Sequence, residues 1–359
     1  VTWTETDPTV VGLDPAGLER AVELARARGA ATQLCVLRHG RVVLDRSFHC
    51  GPDSLFWIFS ASKPFTAVLI YQLAERGLIT VDDPVAAHWP QFARHGKAGI
   101  TIRHVLSHRS GLPTAGTSLG DVLTMTHWRR SVRRLERAWP QFPPGTTAAY
   151  GYLSYGTILG ELARRITGVS IQDSVRAGVL APIGLADTYL GLPEAQWHRH
   201  VPLAATGPSG YVVSAQLNRR STRAAVIPAA GISTTARDLA AFYQVLLADD
   251  GRLLRSDTLA SARTPSSDGE FDRVARAWIR WSQGFQLGGP RADPTAIGPM
   301  GRLSSPRTFG HNGSNCCIGW ADPDRQLAVA YLTNRLTNRR DDVRHLADVA
   351  DALLGAVTD

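Results

Sequence analysis

Strand-like runs stand near both ends of this 359-residue chain, with helix patterns between them. Residues 14–29 read as an amphipathic helix, with Leu18, Ala21, Val22, Leu24 and Ala25 at helical spacing. Two β-rich runs follow, Gln33 to Arg38 and Arg41 to Phe48, with a hairpin signal at His39-Gly40. Strand character returns late, at Gly284 to Leu287, Cys317 to Ala321 and Gln326 to Thr333. An amphipathic helix over 341–357 closes the chain. The pattern predicts an α/β domain (1–81 with 261–359) assembled from both end regions, and a helical domain (82–260) inserted in it. A helix is expected from about Ser60 to Arg76, stopped by Gly77, with a strand-like Leu78-Ile79-Thr80-Val81 after it. Thr234 or Thr235 is expected to cap a further helix.

Ser60-Ala61-Ser62-Lys63 is the segment that bears most on chemistry. A serine and a lysine three apart at a helix start share one face, one turn apart. A serine hydroxyl is a weak nucleophile until a base takes its proton. An amine is that base only if burial or nearby positive charge pulls its pKa down. All but two of the 39 basic residues are arginine, the exceptions being Lys63 and Lys97. Arginine does not give up its proton in a protein and lysine does, so a retained lysine points to proton transfer. The plain alternative is a helix-capping serine beside an unrelated lysine.

Composition narrows the classes. Hydrophobic content of 44% with 19% charged residues describes a soluble globular protein. No run of eighteen apolar residues occurs, so no transmembrane helix and no membrane partner are expected. The start, Val1-Thr2-Trp3-Thr4, has neither a basic nor an apolar leader region. Cys35, Cys50, Cys316 and Cys317 fit neither a disulfide framework nor zinc spacing, and read as free thiols in a reducing, cytoplasmic setting. The formal net charge is +8, densest at Arg129, Arg130, Arg133, Arg134 and Arg137. These read as a solvated helix face, opposite Val132, Leu135 and Trp139, and no nucleic-acid partner is expected. His198-Arg199-His200 lacks a third ligand, so no metal and no cofactor are assigned.

Four ordered stretches carry a resemblance: Phe59-Ser60-Ala61-Ser62-Lys63; Ser107-His108-Arg109-Ser110-Gly111-Leu112-Pro113; Pro144-Gly145-Thr146 with Tyr150-Gly151-Tyr152; and His311-Asn312-Gly313. Ala230-Gly231, Thr235-Ala236-Arg237-Asp238-Leu239 and Thr333-Asn334 also fit. The chain resembles the class C β-lactamase, D-alanyl-D-alanine peptidase and family VIII esterase group over nearly its whole length. The resemblance implies a β-lactamase-like α/β plus all-α fold, an antiparallel sheet flanked by helices. It also implies Ser60 as the acylated nucleophile, Lys63 as its proton partner and Tyr150 as a proton relay. A tyrosine beside a cation is expected to have a lowered pKa. The backbone N–H groups of Ser60 and Ser314 would form the oxyanion hole, with an edge strand following Gly313. Two donors aimed at a developing oxyanion contribute much of the rate in acyl transfer.

Two departures from the group stand out. Tyr152 replaces the asparagine that helps hold a substrate amide. His311 replaces the lysine of Lys-Thr-Gly, which helps recognise a carboxylate. Histidine is largely neutral at pH 7 without a partner. Both changes favour an uncharged ester or amide over β-lactams. Tyr152, His311, Gly313 and Trp57 are the expected substrate-binding residues, with Trp320 as a further aromatic of the pocket. Cys316 and Cys317 are expected to alternate along the strand, one facing inward and lining the site.

The sequence therefore reads as a serine acyl-transfer enzyme for a small-molecule substrate, with ester hydrolysis first. Transfer of the acyl group to an amine or alcohol acceptor in a biosynthetic pathway is the alternative, and β-lactam or D-peptide cleavage ranks third. A non-catalytic acylation sensor is the rival from another class.

Overall fold

The computed structural model describes residues 3–267 and 269–358. Val1 and Thr2, at which the reading of the N-terminal segment begins, lie outside them. Helix α1 (Pro15–Ala27) starts at Asp14, whose carboxylate accepts from the N–H groups of Ala16 and Gly17. Strands β1 (Thr32–Arg38) and β2 (Arg41–Phe48) then form a hairpin. Helix α2 (Lys63–Glu75) follows the nucleophile segment, and α3 (Ser154–Thr167) and α4 (Ala236–Ala248) come from the middle of the chain. Thr235 caps α4 through its hydroxyl and the Asp238 N–H, 3.2 Å apart. The late strands are β3 (Arg280–Trp281), β4 (Gln286–Leu287), β5 (Phe309–Gly313), β6 (Cys317–Asp322) and β7 (Leu327–Thr333). Helix α5 (Arg339–Gly355) ends the fold.

The sheet is seven-stranded and antiparallel in the order β2-β1-β7-β6-β5-β4-β3. Its two halves are joined where β1 pairs with β7, Thr32 opposite Thr333 and Arg38 opposite Leu327. Side chains alternate across it, as strand geometry requires. Leu34, Val36, Ile318, Trp320, Val329 and Tyr331 pack with α1 and α5. Cys35, Leu37, Cys317, Ala328, Ala330 and Leu332 face α2 and α4 in the larger core.

Several expectations are corrected. Leu78–Val81 is not a strand, because Gly77 (φ 68°) ends α2 with a Schellman pair: Gly77 N–H to Ala74 O at 2.9 Å and Leu78 N–H to Leu73 O at 3.1 Å. That bond holds Leu78 to the helix end. No edge strand follows Gly313. Residues 314–316 form a turn, and β5 before it is an interior strand between β4 and β6. In the helix Trp128–Arg137, Val132 and Leu135 are buried and Arg129, Arg130, Arg133 and Arg137 are exposed. Trp139 lies beyond that helix and is exposed rather than packed under it.

Candidate active site

Ser60 lies in a short 3₁₀ turn, Phe59–Ser62, ahead of α2 and not inside an α-helix. A 3₁₀ turn has three residues per turn, so positions i and i+3 eclipse. Lys63 is thereby brought over Ser60, and its Nζ lies 3.2 Å from Ser60 Oγ. Phe59 holds a left-handed φ of 47°, a strained conformation of the kind found at functional sites. The segment is pinned on both sides. Phe56 and Trp57 pair with Thr234 and Ser233, and Ser62 Oγ accepts from the Ile232 N–H at 3.1 Å.

Lys63 is fully buried with no carboxylate partner among the described residues. Burial pulls its pKa well below the usual lysine range. Its Nζ lies 2.9 Å from the Tyr152 carbonyl and 3.2 Å from the Ala229 carbonyl. A neutral amine has two hydrogens and one lone pair. Carbonyl oxygens only accept, so these two hold both hydrogens and leave the lone pair for the Ser60 hydroxyl. Gly156, on α3, makes the arrangement possible, since a Cβ there would come within 2.2 Å of the Ala229 nitrogen.

Tyr150 stands with Ser60 in the wall of one cleft, and its ring centroid lies 4.6 Å from Lys63 Nζ. The expected lowering of its pKa is overturned: burial raises it above the normal phenol value, so Tyr150 keeps its proton at neutral pH. Three residues that sequence reasoning gave no role hold it in place. Trp281 stacks on Tyr150 at 5.2 Å with ring planes 2° apart. Buried Asp272 accepts from the Tyr150 N–H at 3.1 Å and from Trp281 Nε1 at 3.0 Å. His108 packs 4.7 Å from the Tyr150 ring and accepts at Nδ1 from the Gly151 N–H.

Ser314 stands in the turn after β5. Gly313 O accepts from the Cys316 N–H at 3.0 Å, and Ser314 and Asn315 have φ of 46° and 59°. Positive φ at both central positions suits the twist of a hairpin. Gly313 does not line the cleft and is a site of close approach: a Cβ there would lie 1.9 Å from Ile58 O, beside the nucleophile turn.

A cleft of about 800 Å³ opens on Ser60, Tyr150, Tyr152, His311 and Ser314. Tyr152 is 44% exposed and stands edge-on to Tyr150. His311 is buried, and burial pushes its pKa down to about 3, so it is neutral. Its Nδ1 lies 2.7 Å from Asn312 O, which makes Nδ1 the protonated nitrogen. Its Nε2 is then an acceptor, and no described residue partners it.

The structure does not bring Trp57 to the cleft. Its ring is buried under the Arg223 guanidinium, 4.7 Å away, because β-pairing with Ser233 turns it into the core. Trp320 is on the α1/α5 face of the sheet, the wrong side for Ser60. Cys316 and Cys317 do not alternate. Cys316 is in the turn, both thiols are buried in one core, and their sulfurs are 3.8 Å apart.

A family model described as Beta-lactamase matches residues 18–354. The chain belongs to the beta-lactamase family. Esterase/beta-lactamase LipL of Mycobacterium tuberculosis is 30% identical to it over 79% of this chain and 70% of that protein. A penicillin-binding protein homologue from Caulobacter crescentus superposes with a TM-score of 0.78 at 26% identity, over 95% of this chain and 99% of the other. A family VIII carboxylesterase does so with the same score and identity, over 96% and 99%. This member of the family is a serine hydrolase with the β-lactamase-like fold. No helix among its described residues is long and apolar enough to cross a membrane.

Proposed function

We propose that the protein hydrolyses a small ester through an acyl-Ser60 intermediate. The observation that carries this reading is the Lys63 amine, buried with no counter-ion among the described residues, held by two carbonyls and 3.2 Å from Ser60 Oγ. Lys63 takes the Ser60 proton as Oγ attacks the carbonyl carbon. The backbone N–H groups of Ser60 and Ser314 receive the developing oxyanion. Tyr150, still a phenol, passes a proton toward the departing alkoxide and draws one from Lys63 in exchange. The C–O bond to the alcohol breaks, and water then splits the acyl ester by the same path reversed. LipL and the family VIII carboxylesterase, both named as esterases, support this choice.

Transfer to an alcohol or amine is the second reading, favoured by the unpartnered Nε2 acceptor of His311 in the cleft wall. An acceptor O–H or N–H would satisfy it. We assign the sheet-forming segments 1–81 and 261–359 to one unit and 82–260 to the other, with α4 of the second packed on the sheet. The substrate is a small molecule rather than nucleic acid, and the four free thiols suit a cytoplasmic setting. Intact-mass spectrometry with p-nitrophenyl butanoate tests the proposal. An acyl adduct located on Ser60, absent in Ser60→Ala, is expected. Full turnover by Ser60→Ala would overturn it.

A further inference from the structure

The outer part of the cleft is lined by arginines and, among the described residues, by no carboxylate. Arg276, Arg291, Arg340 and Arg344 form no hydrogen bond or ion pair through their guanidinium groups with any described residue. Each stands at some structural cost.

Arg276 occupies a left-handed position, φ 51°, in the turn between Phe271–Asp272 and Ala277–Trp278. That conformation favours glycine or asparagine and is uncommon for a long side chain. Arg340 is in the first turn of α5, where the helix dipole disfavours a cation. Arg344 is four residues on, so the pair repels along one helix face. The acids of that turn are engaged elsewhere, Asp341 with Asn338 and Asp342 with Arg28 and Thr337. Arg291 is half-buried against Gly298, and burial with nearby Arg280 lowers its pKa. Three separate segments thus direct unpaired guanidinium groups into one cleft, against local preference in each case.

We propose that this outer cleft binds a doubly charged oxyanion on the substrate, a phosphate monoester or a dicarboxylate, through Arg276, Arg291, Arg340 and Arg344. Guanidinium groups recognise both by paired N–H donors. Four of them exceed what one carboxylate can neutralise. The inference rests on the esterase reading and specifies its substrate class: neutral at the scissile bond, where His311 is uncharged, and anionic beyond it.

Two measurements test it. The first compares kcat/KM for butanoate esters of phenol, of a 3,5-dicarboxyphenol and of 4-hydroxyphenyl phosphate, and for p-nitrophenyl 4-phosphonobutanoate against p-nitrophenyl butanoate. The phosphate and dicarboxylate arms separate the two sources of charge. At least one charged ester is expected to exceed its neutral counterpart by about tenfold at low salt, an advantage that shrinks with added salt. Arg291→Gln and the double change Arg340→Ala with Arg344→Ala should bring the ratio toward one. A ratio of one or less in every arm would overturn the proposal while leaving ester hydrolysis standing. The second titrates Ser60→Ala with 4-phosphonobutanoate by calorimetry, which needs no turnover. Saturable binding, weakened at least fivefold by Arg340→Ala with Arg344→Ala, is expected. No binding would overturn the oxyanion site even if Ser60 acylates normally.

Discussion

Lys63 Nζ faces Ser60 Oγ at 3.2 Å with its other two contacts made to backbone carbonyls. The arrangement suits a neutral amine, and burial lowers the pKa accordingly. An acidic limb of kcat/KM should therefore be complete well below the ordinary lysine pKa of about 10. Activity rises with pH as Lys63 loses its proton and is lost as pH falls. Lys63→Arg should cost roughly as much as Lys63→Ala, at least about 10²-fold, because a guanidinium holds its proton. A pH-rate profile on each variant checks both points.

The same amine is a liability for folding. Its folded pKa lies below its unfolded value, so the unfolded chain binds more protons between the two. Stability therefore rises with pH through that window, and the burden is greatest at neutral and acid pH. Lys63→Met should raise stability by about 1 kcal/mol at pH 7, with the gain shrinking toward pH 10. Thermal unfolding at both pH values measures it.

Tyr150→Phe keeps the ring stacked on Trp281 and removes only the hydroxyl. A fall in kcat of roughly 10²-fold with a small change in KM is expected, as for loss of a proton relay. Since Tyr150 is held as a phenol, its ionisation should not appear in the pH-rate profile of the parent enzyme below pH 10. An equal loss in KM with kcat unchanged would make it a binding group only.

Gly313→Ala places a Cβ against Ile58 O, a backbone atom that cannot step aside alone. The strand must shift away from the nucleophile turn and carry Ser314 with it. A loss of about 2 kcal/mol in stability, as for overpacking, and a more than tenfold slower Ser60 acylation are expected. Denaturant unfolding and pre-steady-state burst kinetics separate the two effects.

Local chemistry was the legible part of this chain. The Ser60–Lys63 pair, the stop at Gly77 and the cap at Thr235 each need only neighbours within a few residues. The two halves of the sheet could be read because hydrophobic runs mark strands wherever they stand. Which face a residue takes was not legible at Trp320 and Cys317. β6 and β7 are buried on both faces, so no polar alternation distinguishes the sides. Asp272 and Trp281 meet His108 around Tyr150 from separate segments; nothing local marks the first two, and the stretch that contains His108 does not show that it packs on Tyr150. The cleft arginines were hidden in the same way, dispersed among the other arginines of the chain. The scarcity of lysine was a weaker signal than it looked. Lys97 is also fully buried, its Nζ held by the carbonyls of Arg94, Glu136 and Ala138, with a pKa pulled down to about 8 chiefly by that burial. Backbone capture of an amine is thus a structural device in this chain as well as a candidate catalytic one.

The pairing of β1 with β7 sets a timetable for biosynthesis. Thr32 waits for Thr333 before the sheet can close, and at ribosomal speeds of about 5–20 residues per second that delay is roughly 15–60 s. The turn holding Ser314 emerges within the same late stretch, so a nascent chain displays the Ser60 hydroxyl long before the proposed oxyanion donor at Ser314 is in place. The ribosome-bound protein should be inert toward esters until the strand ending at Thr333 has emerged, and chaperones meeting it early would encounter the unpaired edge of a two-stranded hairpin.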